Sequence, residues 1–159
     1  MGSPVHLILA MAAALAVVGS PAAAQQLIDG SNVDEIANIA RGYGSVSVGT
    51  AGSGDPQISG KIDGISYYLF LRNCSAAHTD CEDLNFYAGF LDNKQPLDSI
   101  NAWNRDKRFG RAYLDADLDA VIEFDVNIEY GISRENLDSS FAVWSLILKQ
   151  YADHIGFQR

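Results

Sequence analysis

The chain is short of basic residues, histidine and cysteine, and each shortage excludes a class of function. Eleven lysines and arginines stand against twenty aspartates and glutamates, which gives a net charge of -9. A domain this acidic is poorly suited to nucleic acid or anionic lipid, because neutralising phosphates needs clustered cations. Only three histidines are present, and none sits in a nucleophile motif. We therefore expect neither an enzyme nor a nucleic-acid-binding protein.

Charged residues other than His6 are missing from the first 24 residues. The apolar run from residue 5 to residue 18 is too short for a membrane span, which needs roughly 20 residues. Gly19, Ser20 and Pro21 interrupt it, and three alanines then supply the small residues that signal peptidase accepts. We predict a signal peptide over 1–24, cleaved after Ala24, and one periplasmic or secreted domain over 25–159 without a membrane span. A buried N-terminal helix and a retained membrane anchor are the alternatives.

Three helices are predicted from apolar residues that recur at spacings of three and four. The first begins at Asn32, which together with Glu35 resembles a capping box. The second follows Pro96, and its apolar face is formed by Leu97, Ile100 and Trp103. The third begins after Ser133 and carries an apolar stripe of Leu137, Phe141, Trp144, Leu148, Tyr151 and Ile155. Further apolar residues widen this stripe, at Val143, Leu146 and Ile147. Such a helix is either deeply packed on a sheet or also part of an oligomer contact.

Strands are predicted where apolar residues alternate or run together between turn residues. These segments are Ser45 to Val48, Ile65 to Asn73, Leu84 to Leu91, Phe109 to Asp115 and Val121 to Tyr130. In the last of them, apolar residues alternate with acidic and amide residues, so one face belongs in the core and the other in water. The apolar positions are Ile122, Phe124, Val126, Ile128 and Tyr130. The expected fold class is α+β, with an antiparallel sheet of about five strands packed by helices.

The two cysteines, Cys74 and Cys81, lie at the ends of two predicted strands. If they face each other, the register pairs Leu71 with Leu84, Leu69 with Phe86, Tyr67 with Ala88, and Ile65 with Phe90. One face of the hairpin is then wholly apolar, as a correct register requires. On the other face Tyr68 meets Tyr87, and Phe70 meets Asn85. Because an exported protein meets oxidising conditions, we predict a disulfide. The alternative is a metal site of Cys74, His78, Asp80 and Cys81, but zinc sites generally have closer cysteines and a second ligand pair.

Two other segments resemble ligand-binding loops and fail the match. The glycine-rich stretch from Gly49 to Asp55 lacks the Lys-Ser/Thr of a phosphate-binding loop, so we interpret it as a turn between two short strands. The acidic stretch from Asp115 to Asp119 resembles a calcium loop, but Ala120 and Val126 stand where an EF-hand requires glycine and glutamate. We interpret it as an acidic hairpin turn, with weak cation binding as the alternative. We predict no cofactor and no metal.

The run from Ile100 to Asp115 contains Asn-x-Trp-Asn followed by Arg-Phe, and it resembles the YbjN family of bacterial sensory transduction regulators. The similarity extends over roughly Ile58 to Phe157. The resemblance implies a fold like that of type III secretion chaperones, in the order α-β-β-β-α-β-β-α and often dimeric. It implies no catalytic residues. A signal peptide and a cysteine pair distinguish this chain from the cytosolic relatives, which argues against a direct role in cytoplasmic regulation.

Within this run we predict a binding site formed by Asn101, Trp103, Asn104, Arg108 and Arg111. Four of the basic residues fall between positions 105 and 111, which makes a local positive cluster on an acidic chain. It is either a docking site for an acidic or phosphate-bearing partner or the ion-pair partner of the acidic strand. The expected function is a non-enzymatic, chaperone-like module of the cell envelope that binds a protein or a second copy. The alternative is a small-ligand sensor or hydrolytic enzyme with a pocket lined by Trp103, Asn104 and Tyr113.

Overall fold

The computed structural model describes residues 26–158, and the predicted signal peptide lies outside them. Three helices are present in this part of the chain: α1 (Val33–Ala40), α2 (Leu97–Asp106) and α3 (Arg134–His154). The strands are β1 (Ser45–Thr50), β2 (Pro56–Ile62), β3 (Ile65–Arg72), β4 (Asp83–Lys94), β5 (Arg111–Leu114) and β6 (Asp119–Asn127). No helix of residues 26–158 has the length and apolar character needed to cross a membrane.

The strands form one antiparallel sheet in the order β1-β2-β3-β4-β6-β5. The α+β class is confirmed, and the sheet has six strands where about five were expected. The element order therefore contains one more strand before α2 than the resemblance implied. Strand β2 is the one that the pattern obscures, because it contains Pro56 and Gly60, residues that are depleted in strands. The glycine-rich stretch before it is the predicted turn, in which the Ala51 N–H donates to the Asp55 carbonyl at 2.8 Å.

The hairpin of β3 and β4 has the register that the cysteine pair predicts. Leu71 lies opposite Leu84 and Leu69 opposite Phe86, while Tyr68 lies opposite Tyr87 and Phe70 opposite Asn85. The other two predicted pairs, Tyr67 with Ala88 and Ile65 with Phe90, lie beyond the end of this ladder. Cys74 and Cys81 form the predicted disulfide, with their Cα atoms 3.8 Å apart. The bridge closes the loop between the two central strands of the sheet.

The helices pack against one face of this sheet. From that face the core receives alternate strand residues that are fully buried, among them Ile58, Leu69, Phe86 and Ile122. Helix α3 lies over the middle of the sheet, where Trp144 approaches Phe86 with ring centroids 5.5 Å apart. All six residues of its predicted stripe are buried, and the predicted cap is present because the Ser133 hydroxyl accepts the Asn136 N–H at 3.1 Å. Of the widening residues, Ile147 is buried and Leu146 is 53% exposed.

Three local predictions are wrong. The capping box of α1 does not form, because the Asn32 side chain accepts the Asp29 N–H instead, at 3.1 Å. Leu97 is 67% exposed, because each three-residue step along a helix falls about 60° short of a turn and carries it away from Trp103. Tyr130 is 83% exposed, since β6 ends at Asn127 and the strand alternation ends with it.

Candidate functional site

The predicted binding residues at the corner between α2 and β5 divide into buried and exposed members. Trp103 is 1% exposed, and its indole N–H donates to the Gly110 carbonyl at 3.0 Å. Asn104 makes two hydrogen bonds with the backbone of Ala112: it accepts the Ala112 N–H and donates to the Ala112 carbonyl, both at 2.9 Å. These two side chains therefore bind the outer edge of β5 and are engaged within the fold. Asn101 is exposed on the same helix.

The basic cluster between residues 105 and 111 is partly neutralised by carboxylates. Arg105 pairs with Asp106, and Arg111 pairs with Glu123 of the acidic strand β6. The interpretation that these arginines pair with the acidic strand thus holds for Arg111. Within residues 26–158, Lys107 and Arg108 form no salt bridge; their cationic groups lie over the rings of Trp103 and Phe109, at 5.6 Å and 5.2 Å from the centroids. Lys107 and Arg108 are the members of the cluster that remain available to a partner, and Arg108 is the one that belongs to the predicted site.

A second feature is the face of the sheet opposite the helices, which we call the uncovered face. Its centre is formed by three aromatic residues, Tyr68, Phe70 and Tyr87. Tyr68 stacks on Phe70 with ring centroids 5.7 Å apart, and Phe70 meets Tyr87 edge-on at 6.0 Å. Tyr68 is 43% exposed, and the other two rings are half-buried. Among residues 26–158 these aromatic side chains lie outside the hydrophobic core that the helices cover.

Charged side chains surround this aromatic centre. The guanidinium of Arg72 lies 4.4 Å from the centroid of the Phe70 ring, a cation–π contact. On the other side Glu123, which is 9% exposed, accepts a hydrogen bond from the Tyr113 hydroxyl at 3.0 Å and pairs with Arg111. Burial, followed by the charges of Asp115 and Glu123, raises the pKa of Tyr87. Burial and the hydrogen bond to Glu123 likewise raise the pKa of Tyr113. Both phenols are therefore neutral hydrogen-bonding groups at neutral pH.

A polar cleft of about 430 Å³ adjoins the aromatic centre and is lined by Arg72, Asn73, Asp83, Asn85, Arg111, Glu123 and Asp125. Its carboxylates are already hydrogen-bonded within the sheet. Asn73 and Asn127 donate to Asp83 at 2.6 Å and 3.0 Å, and Asn85 donates to Asp125 at 2.8 Å. The cleft is therefore lined by paired charges and by amides. No group of three metal-ligating residues occurs within residues 26–158.

Trp103, Asn104 and Tyr113 do not line a single pocket, contrary to the small-ligand alternative. Ala112 is buried in the core beside α2, and side chains alternate along a strand, so its neighbour Tyr113 points to the uncovered face. The Trp103 ring fills the space under α2, where it meets the Tyr151 ring with centroids 4.9 Å apart. The three residues thus lie on different sides of β5, and Asn104 occupies its edge.

The acidic turn and the cleft beside α1 also hold engaged groups. The Asp115 carboxylate accepts the N–H groups of Asp117 and Asp119 at 2.9 Å each, as expected of a hairpin turn. A cleft of about 660 Å³ between α1 and the β1–β2 hairpin is lined partly by Glu35 and His78. Glu35 pairs with Arg134, and His78 hydrogen-bonds with Asp55 at 2.7 Å. Asp115, Glu35 and His78 are therefore each engaged by other groups of the protein.

The aromatic centre was not among the predicted site residues, although the sequence contains a signal for it. The predicted hairpin register already places Tyr68 opposite Tyr87 on the face away from the apolar residues. Two aromatic residues that lie opposite each other on the face of a hairpin away from the core indicate a surface that contacts more than solvent, such as another protein. What the pattern could not supply is the position of the helices, which decides whether that face is covered.

Within residues 26–158 the helices pack on one face of an antiparallel sheet and an aromatic centre lies on the other, which defines an α+β domain with an exposed aromatic surface. The sequence model of the YbjN family, described as "putative bacterial sensory transduction regulator", matches residues 32–157. The chain belongs to this family. No curated protein matches the sequence.

Proposed function

We propose that this protein is a non-enzymatic, chaperone-like binding module of the bacterial cell envelope, and that it holds another protein on its uncovered face. The observation that carries the proposal is the exposed aromatic centre, Tyr68 with Phe70 and Tyr87, on a sheet face that the described helices leave open. Contiguous apolar surface rimmed by polar groups is typical of protein interaction sites. Tyrosine, phenylalanine and arginine are also the residues enriched where proteins meet.

The charge distribution supports a protein partner. The whole chain has a net charge of -9, yet around the aromatic centre three basic residues, Lys61, Arg72 and Arg111, stand beside only four acidic ones, Asp83, Asp115, Glu123 and Asp125. A partner therefore meets little net repulsion on this face. Because most of these charges are hydrogen-bonded or paired, the rim offers defined geometry rather than a diffuse electric field.

Two features support a place in the cell envelope. The first 24 residues have the pattern of a cleavable export signal, as argued above. The disulfide between Cys74 and Cys81 is of the kind that persists in oxidising compartments and is rare in the cytosol. An exported member of a family described as regulatory would act outside the cytoplasm, by binding partners there.

A pull-down from envelope extract tests the proposal. The full chain carries an affinity tag at its C-terminus and is exported with its own N-terminal segment. The variants Tyr68→Ser and Phe70→Ser remove the aromatic centre and should reduce the amount of each specific partner at least tenfold. Leu97→Ser is the matched control, because Leu97 is an exposed apolar residue on α2, away from this face. If the face variants keep the same partners at the same yield as the control, the uncovered face is not the binding site.

The same assay separates the basic cluster from the uncovered face. Arg108→Glu reverses an exposed charge that has no carboxylate partner within the described residues, so it tests docking at the α2–β5 corner alone. Arg111→Glu also breaks the pair with the buried Glu123, so its loss of binding has a structural component. Unchanged partners with Arg108→Glu would remove the corner from the binding site.

A further inference from the structure

The two edges of the sheet differ in whether other parts of the fold cover their outward backbone groups. At the β5 edge, Trp103 and Asn104 of α2 bond to the outward backbone groups of Gly110 and Ala112. At the opposite edge, β1 has β2 as its only strand neighbour within residues 26–158. Most of the residues of β1 are exposed. Within the described residues the fold therefore covers one edge of the sheet and leaves the other open.

The open edge also lacks the residues that usually block pairing. Strand β1 reads Ser-Val-Ser-Val-Gly-Thr, with no charged residue and no proline, and its ladder with β2 runs without a bulge from Ser45 to Thr50. Natural edge strands generally carry lysine, proline or a bulge, because an unpaired row of N–H and C=O groups templates the addition of another strand. On a chain with a net charge of -9, an uncharged strand at an open edge is a surface that two copies can share without repulsion.

The backbone direction identifies which groups are unpaired. The Ala51 N–H donates to the Asp55 carbonyl, and hydrogen-bonded positions alternate along an antiparallel ladder. Ser45, Ser47 and Gly49 consequently direct their backbone groups toward β2. Val46, Val48 and Thr50 direct theirs outward. Val48 is 42% exposed although it lies opposite the buried Ile58 on the helix-covered side of the sheet.

We propose that β1 pairs antiparallel with β1 of a second copy of this chain, about a two-fold axis at Ser47. The two valines flank this residue symmetrically: Val46 of one copy then lies opposite Val48 of the other, and the outward N–H and C=O groups of both valines are satisfied. Ser47 lies opposite its own counterpart in a close, non-hydrogen-bonded pair, in which Cα atoms are about 4.5 Å apart. The two half-exposed valine rows meet on the helix-covered side, and the serines meet on the other.

This pairing joins the two sheets into one continuous sheet. It also places the two uncovered faces side by side, since a two-fold axis perpendicular to the sheet keeps them on the same side. The inference goes beyond the proposed function and does not depend on it, because it concerns a different surface. It is measured by the oligomeric state, whereas the proposed function is measured by partner capture.

The test is a charge exchange at the axis, read by light scattering coupled to size exclusion over a hundredfold range of concentration. We expect the full chain, exported with its own N-terminal segment, to form a dimer. Ser47→Lys and Ser47→Glu should each shift the chain to monomer, because each places two like charges opposite one another. An equimolar mixture of the two variants should recover the dimer as a heterodimer, since the opposite charges then meet.

Ser139→Lys, a matched change at an exposed position of α3, is the control and should leave the dimer intact. Circular dichroism and thermal unfolding confirm that each variant is folded. A chain that is monomeric at every concentration overturns the proposal. So does a dimer that both Ser47 variants retain, or a mixture of folded variants that stays monomeric.

Discussion

Asn104 completes the edge of strand β5 with its side chain, because its amide makes with Ala112 the two hydrogen bonds that a neighbouring strand would make. The side-chain carbonyl accepts the Ala112 N–H and the side-chain N–H donates to the Ala112 carbonyl, both at 2.9 Å. The Trp-Asn part of the Asn-x-Trp-Asn motif of α2 therefore has a structural explanation: Trp103 anchors the helix to the core and Asn104 covers the edge.

We predict that Asn104→Ala lowers the free energy of unfolding by about 1–2 kcal/mol, because two backbone groups lose their partner at a partly solvated site. Urea unfolding measures the change. Asn101→Ala is the control on the same helix, and its exposed side chain should contribute less than about 0.5 kcal/mol. Equal effects of the two changes would show that the hydrogen bonds between Asn104 and Ala112 add no net stability.

The same variant should open the second edge of the sheet. With Asn104 replaced by alanine, the outward groups of Ala112 are left for another strand, and open edges promote association. We expect Asn104→Ala to form higher oligomers at concentrations where Asn101→Ala does not, measured by light scattering. An unchanged oligomeric state would mean that Trp103 and the rest of α2 protect this edge without Asn104.

A third prediction concerns the disulfide. Cys74 and Cys81 are 7 residues apart in sequence, and closing so short a loop is expected to contribute about 2–3 kcal/mol in the chain-entropy model. Replacing both cysteines, as Cys74→Ser with Cys81→Ala, should lower the free energy of unfolding by that amount. A reducing agent should lower the stability of the unaltered chain to the same extent and leave the double variant unchanged. Free-thiol titration of the exported chain checks directly that the bond forms.

Elements on which several constraints act could be predicted from the sequence, whereas elements with a single short motif could not. The register of β3 and β4 was predictable because the cysteine pair and the apolar alternation demand the same pairing, which the structure shows at Leu69 with Phe86 and Leu71 with Leu84. The cap at Ser133 was predictable for a similar reason: a long apolar stripe follows it at once. At Asn32 only a short motif was present, and a competing bond to Asp29 took the side chain.

The candidate site was harder to predict because it depends on relations between elements that are distant in sequence. Strand alternation places Trp103 and Tyr113 on opposite sides of β5, although they are ten residues apart in a segment that looks like one site. Whether Tyr68 and Tyr87 meet water depends on where the helices pack. A single sequence indicates which residues lie on each face of a strand. It does not indicate which face of the sheet the helices pack against.

The contact between Asp55 and His78 makes stability depend on pH. His78 Nδ1–H donates to Asp55 Oδ1 at 2.7 Å and the Ser53 hydroxyl donates to Oδ2 at 2.9 Å. The hydrogen bond from His78, and then that from Ser53, lowers the pKa of Asp55 below its ordinary value of 3.8. A lowered pKa in the folded state means that the carboxylate stabilises the fold above pH 3.8, and that this contribution is lost as the pH falls through the folded pKa.

We therefore expect Asp55→Asn to be less stable than the unaltered chain at pH 6, with a smaller difference at pH 3, below the ordinary pKa of 3.8. Urea unfolding at both pH values measures it. His78→Ala is the matched control, because it removes the main cause of the lowered pKa. In the His78→Ala background, Asp55→Asn should have a smaller and less pH-dependent effect. A difference of the same size at both pH values would show that Asp55 acts through its shape and not through its charge.

The last prediction concerns the glycine beneath the buried ring of Tyr67. A Cβ on Gly60 would lie 2.5 Å from Cε1 of Tyr67, whose side chain is 1% exposed and whose pKa burial raises to about 12. Because the ring has no room to move, Gly60→Ala should cost about 1–3 kcal/mol of stability through overpacking. On the other side of the sheet, a Cβ on Gly89 would lie 2.9 Å from the hydroxyl oxygen of Tyr87, which is the far end of a half-buried side chain.

Gly89→Ala is therefore the matched control, and we expect it to leave stability within about 0.5 kcal/mol of the unaltered chain. Adding Tyr67→Leu removes the ring that the new methyl group meets, so the further cost of Gly60→Ala should be smaller in that background. Thermal and urea unfolding of the four variants measure these differences. If Gly60→Ala costs as much with leucine at position 67 as with tyrosine, the glycine is required by the β2 backbone and not by the ring that covers it.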